Sequence, residues 1–179
     1  MLSTSSLTDE LRSAIRFVPD FPEPGVQFQD LTPVFGRPAL VRRLSEAVVD
    51  AYHGAFDRVL AVEARGFVLG TAVAAASGLP LALARKQGKL PGPVHRADYT
   101  LEYGTATLEL QHDAVAPGDR VLIVDDVLAT GGTLAAAAEL VTAADGRVTG
   151  HAVITSVPGL GGAARLAPAR VVTLLPDHH

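Results

Sequence analysis

The sequence has 179 residues, of which 48% are hydrophobic and 19% charged, so it can fold as a single domain over residues 1–179. Its formal net charge of -4 argues against nonspecific binding to nucleic acid, which needs a basic surface. It contains no cysteine, which excludes disulfides and thiolate metal sites and is typical of a cytoplasmic protein.

The first predicted element is a short helix near the N-terminus. The segment MLSTSSLTDE lacks the basic and apolar parts of a secretory signal. Thr8 is expected to cap the helix, with acidic residues in its first turn. The stretch VPDFPEPG then ends it, because proline is not tolerated in a helix interior. A second helix is predicted over residues 38–54, since Pro38 suits the first helical position and apolar residues follow at helical spacing.

Short apolar runs alternate with helical segments over the rest of the chain. The predicted helices span residues 67–77 and 132–144. Buried strands are predicted over residues 58–62, 79–84 and 121–124, and further strands over residues 147–155 and 170–175. Residues 85–98 are rich in glycine and proline and are predicted to form a loop. Residues 99–103 and 105–111 are predicted to form a hairpin, with Leu108 and Leu110 on one face. The alternation predicts an α/β fold with a mostly parallel sheet flanked by helices.

One uncharged stretch has nearly the length of a membrane span. It covers residues 66–84, between Arg65 and Arg85. It is rich in alanine and is interrupted by glycine, serine and proline, so we interpret it as a helix, a turn and a strand. We therefore expect no membrane partner.

Two aspartates and a glycine pair follow the strand at residues 121–124, in the stretch VLIVDDVLATGGTL. Asp125 and Asp126 can accept hydrogen bonds from a sugar diol or hold hydrated Mg2+. The backbone N–H groups of residues 130–133 lie at a helix start, where the helix dipole favours an anion and glycine leaves room for it. The stretch indicates a phosphate that is joined to hydroxyl groups near a cation, as in a ribose 5-phosphate. The alternative is a plain strand–turn–helix connection; the Walker and dinucleotide glycine patterns are absent.

Positive charge is concentrated near the same predicted edge of the sheet. Residues 67–97 contain no Asp or Glu, and both lysines of the chain lie in RKQGK. Because ligands bind at the carboxyl ends of parallel strands, we expect EARG, RKQGK and DDVLATGGT to gather at one edge. A locally basic edge on an acidic protein suits a polyanionic small ligand. A solvated basic loop is the alternative.

The stretch VLIVDDVLATGGTL resembles the phosphoribosyl-diphosphate signature of the type I phosphoribosyltransferases. The stretches IRFVPDFPEPGVQFQDLTPVF, RKQGKLPGPV and YTLEYG extend the resemblance, in order, from about Ile15 to Leu175, and are similar to family members that act on adenine. The resemblance implies a central sheet flanked by helices with a flexible β-hairpin hood. It also implies a base-binding segment at about residues 15–36 and a catalytic core at about residues 37–179.

The resemblance implies a reaction in purine salvage: adenine and 5-phosphoribosyl 1-diphosphate give AMP and diphosphate. It implies a homodimer and Mg2+, which the substrate mainly holds and which Asp125 or Asp126 can reach through water. The implied contacts to ribose 5-phosphate are Asp125, Asp126, Ala129, Thr130, Gly131, Gly132 and Thr133. The implied diphosphate contacts are Glu63, Ala64, Arg65, Gly66, Arg85, Lys86 and Lys89. The implied adenine contacts are Val26, Gln27, Phe28, Gln29 and Leu160, and the implied catalytic residues are Glu102, Tyr103 and Arg65.

Base specificity is expected to come from main-chain groups of residues 26–29, which can complement adenine and mismatch a 6-oxo purine. A transferase for hypoxanthine or xanthine is the alternative enzyme. The alternative outside the enzymes is a regulator that senses phosphoribosyl diphosphate. Such a protein should carry an added basic segment that binds nucleic acid, and none is evident in this sequence. The chain departs from the family at Gln29 and Gln87, where basic residues are usual.

Overall fold

A computed structural model describes residues 6–100 and 105–176 of the chain. Among these residues the helices are α1 (Leu7–Ala14), α2 (Thr32–Phe35), α3 (Pro38–Ala51), α4 (Gly66–Ser77), α5 (Gly132–Ala143) and α6 (Gly162–Arg165). The strands are β1 (Arg16–Pro19), β2 (Gln27–Asp30), β3 (Arg58–Val62), β4 (Leu81–Lys86), β5 (Val94–Thr100), β6 (Thr105–Gln111), β7 (Arg120–Val124), β8 (Val127–Leu128), β9 (Arg147–Ser156) and β10 (Arg170–Leu175).

One large sheet has the strand order β10-β9-β7-β3-β4-β6-β5, with β8 paired to β9 at its end. The pairs from β10 to β4 are parallel, whereas β6 pairs antiparallel with both β4 and β5. The mostly parallel sheet that the alternation predicted is therefore confirmed. The short strands β1 and β2 form a separate antiparallel ribbon.

Helices cover both faces of the sheet. Leu60 and Val62 of β3 pack in a cluster with α5, whereas Val59 of the same strand packs in a cluster with α1, α3 and α4. Gly70 lets α4 lie directly on β3, because a Cβ atom at this position would overlap the Cβ atom of Ala61. These two cores make β3 and β7 the rigid centre of the molecule.

The structure corrects one prediction near the N-terminus and adds an element that was not predicted. Ser6, not Thr8, caps α1, because the Ser6 side chain accepts a hydrogen bond from the backbone N–H of Asp9. The helix ends before the proline-rich stretch, as predicted, but the chain on either side of that stretch forms the β1–β2 ribbon, in which Arg16 pairs with Asp30. Here a contact between residues that are distant in sequence overrides the local proline signal.

Two element boundaries also differ from the prediction. The predicted helix over residues 38–54 ends at Ala51, where the chain turns. Strand β5 begins at Val94, within the predicted loop at residues 85–98, because it pairs with β6 along its whole length. No helix in the described residues is long and apolar enough to cross a membrane.

Candidate active site

The carboxyl ends of β4, β3 and β7 carry the segments that were predicted to share one edge. EARG follows β3, RKQGK ends β4 and continues beyond it, and DDVLATGGT follows β7. The Nε atom of Arg65 lies 2.8 Å from Oδ2 of Asp126, and the Nε atom of Arg85 lies 3.3 Å from Oε2 of Glu63. The three segments therefore meet at one edge of the sheet, as predicted.

Asp125 and Asp126 are 8% and 6% exposed, respectively, and their backbones are fixed against β9. Burial, followed by the neighbouring charge of Asp126, raises the pKa of Asp125 well above its ordinary value. Its Oδ1 atom accepts a hydrogen bond of 2.8 Å from the Asp126 N–H. Oδ2 of Asp126 is buried and lies at ion-pair distance from Arg65, but no donor hydrogen points at it. Arg65 therefore balances the negative charge of this buried oxygen.

The turn at residues 129–133 requires glycine for two separate reasons. Gly131 has a φ of +77°, in the left-handed region, and caps the N-terminus of α5. A Cβ atom on Gly131 would lie 2.8 Å from the carbonyl oxygen of Gly162. The turn encloses a small cavity of about 60 Å3 that Asp125 and Thr133 also line. Its backbone N–H groups and the helix dipole suit a phosphate.

The segment around α6 supports this turn from outside the predicted set of residues. A Cβ atom on Gly162 would overlap the carbonyl oxygen of Ala129 and lie 2.8 Å from the Leu128 side chain. The Val157 N–H also donates a 2.8 Å hydrogen bond to the Leu128 carbonyl. Sequence reasoning missed Gly162, although the glycine pair in PGLGG was a usable signal of close backbone packing.

Glu63 holds the basic loop in place with its side chain. Its Oε2 atom accepts a 2.9 Å hydrogen bond from the Lys86 N–H and a longer one from Arg85. Burial is the largest single influence and raises the pKa of Glu63, but these hydrogen bonds and charges together bring it below its ordinary value. Glu63 was predicted to contact diphosphate. The structure commits its carboxylate to the loop and leaves only its backbone for that role.

The other predicted diphosphate residues surround the same edge. A Cβ atom on Gly66 would lie 2.7 Å from Oδ1 of Asp125, so the EARG turn touches the aspartate pair. Ala64 is exposed in that turn, and Arg85 lies over the Phe67 ring. Lys86 and Lys89 are exposed and make no ion pair with the described residues.

A cavity of about 370 Å3 lies on the other side of Arg65. It is lined by Val18, Phe21, Phe28, Asp30, Thr32 and Arg65. The rings of Phe21 and Phe28 meet edge to face with centroids 5.0 Å apart. The Arg65 guanidinium lies 5.7 Å from the centroid of Phe28. Arg65 therefore lies between this aromatic cavity and the aspartate pair.

Several predicted adenine contacts do not line this cavity. Val26 and Leu160 are 44% and 40% exposed, respectively, and neither belongs to the lining. The Gln29 side chain accepts a 3.2 Å hydrogen bond from Thr155 and so connects the ribbon to the end of β9. Gln27 is exposed next to it. Only Phe28 of the predicted set has its side chain in the lining.

The predicted catalytic residues Glu102 and Tyr103 lie outside the described residues. At the base of the same hairpin, Tyr99 is only 7% exposed, and β5 packs on α5. Burial raises the pKa of the Tyr99 hydroxyl, and its interaction with the Thr133 side chain partly offsets this. Sequence reasoning missed this tyrosine, which brings the base of the hairpin to the phosphate turn.

Two further observations limit where the site can be. A larger groove of about 610 Å3 lies between α3 and α4, but its lining is mainly apolar and includes none of the predicted site residues. In the part of the chain that the structure describes, no three His, Asp or Glu side chains form a group that could hold a metal ion.

Comparison with known proteins defines the class of protein first. The phosphoribosyl transferase domain family matches residues 36–173. A relative from Mycolicibacterium vanbaalenii, an adenine phosphoribosyltransferase, is 51% identical over 95% of this chain and 98% of its own. The crystal structure of the adenine phosphoribosyltransferase from Rhodothermus marinus is 46% identical, with a TM-score of 0.87 over 94% of this chain and 97% of that one.

A second solved structure is the adenine phosphoribosyltransferase of Saccharomyces cerevisiae, in complex with an imino-altritol bisphosphate and adenine. It is 37% identical, with a TM-score of 0.89 over 94% of this chain and 98% of that one. The chain therefore belongs to the phosphoribosyltransferase family, within its adenine phosphoribosyltransferase branch.

Proposed function

We propose that this chain transfers the 5-phosphoribosyl group of 5-phosphoribosyl 1-diphosphate to adenine, giving AMP and diphosphate in purine salvage. The observation that carries the proposal is the position of Arg65. It forms an ion pair with Asp126 on one side and lies over the Phe28 ring on the other. A cationic group between a sugar-phosphate site and an aromatic cavity suits a reaction that joins a base to a phosphorylated sugar.

The phosphoribosyl group binds at the end of β7. Asp125 and Asp126 accept hydrogen bonds from the ribose hydroxyls, and the turn at residues 129–133 surrounds the 5-phosphate. Backbone N–H groups that are already fixed at a helix start lose little freedom when the anion binds. The implied phosphate contacts are Ala129, Thr130, Gly131, Gly132 and Thr133.

The diphosphate leaves from the anomeric carbon, at the end of the ribose away from the 5-phosphate. Backbone groups of residues 63–66 and the side chains of Arg65, Arg85, Lys86 and Lys89 stabilise its negative charge as the bond to the anomeric carbon breaks. The electrons of that bond remain on the diphosphate oxygen, and positive charge develops on the sugar. Adenine N9 forms the new bond, so no covalent intermediate with the protein is needed.

The aspartate pair fits a role near Mg2+. Mg2+ prefers oxygen ligands and keeps several waters, and Asp125 and Asp126 place two adjacent carboxylates at the sheet edge where Arg65 and Gly66 lie. Asp125 and Asp126 would reach a hydrated ion that the diphosphate mainly holds. When bound, Mg2+ supplies neutralisation of the leaving group.

Adenine binds against the β1–β2 ribbon. Phe28 stacks on the base, and one edge of β2 is not paired within the two-stranded ribbon. Its backbone donors and acceptors can pair with the amino group and ring nitrogen of adenine and would mismatch a 6-oxo purine. Val26, Gln27 and Gln29 take part through their main chain, and Leu160 covers the other face of the base.

The family resemblance implies a hairpin hood over the site. It assigns Glu102 to proton transfer at the purine and Tyr103 to the neighbourhood of the reacting carbon. A carboxylate in a closed site of low polarity can act as an acid or a base. The homodimer and the cytoplasmic location belong to the same proposal and rest on the family resemblance. Sedimentation of the purified protein measures the dimer directly.

The experiment that tests the function is a parallel assay of base selectivity. The purified protein is supplied with 5-phosphoribosyl 1-diphosphate, Mg2+ and one of adenine, hypoxanthine, guanine, xanthine or orotate. We expect nucleotide to form with adenine at a kcat/KM at least about 100-fold above the 6-oxo purines, since a mismatched polar edge leaves buried groups unpaired. A preference for a 6-oxo purine would contradict the adenine assignment but not the family.

A further inference from the structure

Glu109 on β6 is a buried carboxylate to which neither the sequence nor the proposed reaction gives a role. It is 2% exposed. Strand alternation puts it on the face opposite Leu108 and Leu110, and that face was expected to meet solvent. It is buried because the basic loop after β4 folds over it and Arg96 of β5 covers its other side.

Glu109 makes two contacts through its two carboxylate oxygens. The Gly88 N–H donates a 2.9 Å hydrogen bond to Oε2, and Nε of Arg96 donates a 2.9 Å hydrogen bond to Oε1. Gly88 lies between Lys86 and Lys89 and has a φ of +77°, which a side chain rarely adopts. The carboxylate therefore holds the loop at a residue whose backbone conformation favours glycine.

The rest of the loop backbone is held as well. The Lys86 N–H donates to Glu63, the Gln87 N–H donates a 3.1 Å hydrogen bond to the Thr107 carbonyl, and Arg85 donates to the Lys89 carbonyl at 3.2 Å. The structure thus fixes the main chain of the loop. It leaves both lysine side chains unpaired with the described acidic residues.

We propose that Glu109 is a positioning residue that places Lys86 and Lys89 for the diphosphate of the donor substrate, acting through the Gly88 N–H. This inference rests on the proposed function. A hydrogen bond to an ionised acceptor is stronger than a neutral one. Without it, the turn samples other conformations, and the cost of ordering it falls on the binding of the diphosphate.

A matched pair of variants separates the hydrogen bond from the packing. Glu109→Gln keeps the size of the side chain and an oxygen that can accept from Gly88, whereas Glu109→Leu keeps the size and loses the acceptor. We expect Glu109→Leu to raise the KM for 5-phosphoribosyl 1-diphosphate roughly tenfold, the loss typical of a hydrogen bond to a charged group, and to change the KM for adenine less than about twofold. Glu109→Gln should recover most of the loss.

Arg96→Gln is the control, because it removes the other partner of Glu109 and leaves the Gly88 contact in place. Its KM for the donor substrate should stay within about twofold of wild type, since the Gly88 N–H still donates to Oε2 of Glu109. The loss of Arg96 should instead lower the stability of the protein, because Glu109 is 2% exposed and keeps one partner fewer. Equal KM values in Glu109→Leu and wild type would overturn the proposal. So would a Glu109→Leu effect that is shared equally between the two substrates.

Amide hydrogen exchange gives a second measurement if Glu109→Leu does not fold. The Gly88 N–H should be protected in the wild-type protein and in Glu109→Gln, and exchange at the rate of an unstructured peptide in wild type would overturn the proposal. Lys89→Ala distinguishes a failure of the proposed role of Glu109 from a failure of the proposed function. If the protein makes AMP and Lys89→Ala raises the KM for the donor substrate, the proposed function stands whatever Glu109 does.

Discussion

The two sides of the candidate site are built from different parts of the chain. The phosphate side consists of Asp125, Asp126 and residues 129–133, which form a backbone turn between the buried strand β7 and α5. The base side consists of the cavity around Phe21 and Phe28, on a two-stranded ribbon with exposed aromatic side chains. Close contacts at Gly131 and Gly162 leave no room for added atoms on the phosphate side, whereas the ring of Phe21 on the base side is 52% exposed. In the proposed function, a tightly packed turn therefore binds the phosphate and a more open ribbon binds the base.

The largest expected effect concerns the stability of the buried sheet that carries the phosphate side. His151 lies beside Ile123 of β7, is 1% exposed and has an unpaired Nδ1 atom. Burial lowers its pKa from 6.5 to about 4. The unfolded chain therefore takes up a proton at a pH where the folded protein does not. The stability that this provides is full above pH 6.5 and is lost as the pH falls toward 4, about 3 kcal/mol in all.

Denaturant unfolding of wild type and His151→Leu across this pH range measures the effect. Asp125 and His95 also have shifted pKa values, so the difference between the two proteins is the quantity to use. The variant should lose much less stability on acidification. The exposed His53→Gln is the control and should follow wild type. Identical pH dependence in all three proteins would show that His151 contributes nothing to the stability lost on acidification.

The next effect tests the intolerance of the phosphate turn itself. Gly131→Ala must adopt a positive φ and places a methyl group 2.8 Å from the Gly162 carbonyl oxygen. We expect kcat/KM for the donor substrate to fall roughly 30-fold, since two kcal/mol of strain displaces the turn. Gly36→Ala is the matched control, because its Cβ atom would meet only the Pro33 oxygen at 3.5 Å. Normal activity of Gly131→Ala would mean that the turn is not the phosphate site.

The smallest effect tests whether the base side binds its substrate independently of the phosphate side. Phe28→Ala removes the ring from the cavity and should raise the KM for adenine about tenfold, since stacking on a base is worth about 1–3 kcal/mol. The KM for the donor substrate should change only about twofold, through Arg65. Phe17→Ala on the same ribbon is the control, because Phe17 is 49% exposed and does not line the cavity. A larger change in the KM for the donor substrate than for adenine would remove the distinction between the two sides.

The phosphate side could be predicted because its residues are contiguous. In DDVLATGGT the acids, the glycines and the helix start lie within nine residues, so local backbone rules are sufficient. The strands and helices of the parallel core were predicted for the same reason, from periodicity alone. The boundaries at α3 and β5 were less accurate, because pairing between distant segments sets them.

The base side could be predicted only in part. Phe28 lines the cavity, but Val26 and Leu160 do not, and Gln29 bonds to Thr155 of β9, which is distant in sequence. The ribbon that carries Phe28 depends on Arg16 pairing with Asp30 across the proline-rich connection at residues 20–26. No local signal in the sequence specifies that pairing.

The sequence by itself determined the α/β alternation, the phosphate turn and the clustering of positive charge, because each is a property of neighbouring residues. Only the tertiary structure decided that Glu63 and Glu109 hold the basic loop, that Gly162 supports the turn and that Arg65 lies between the two sides. These contacts join residues from separate strands, helices and loops. They form only when the sheet brings its carboxyl ends together, so burial and charge at these positions follow from packing and not from periodicity.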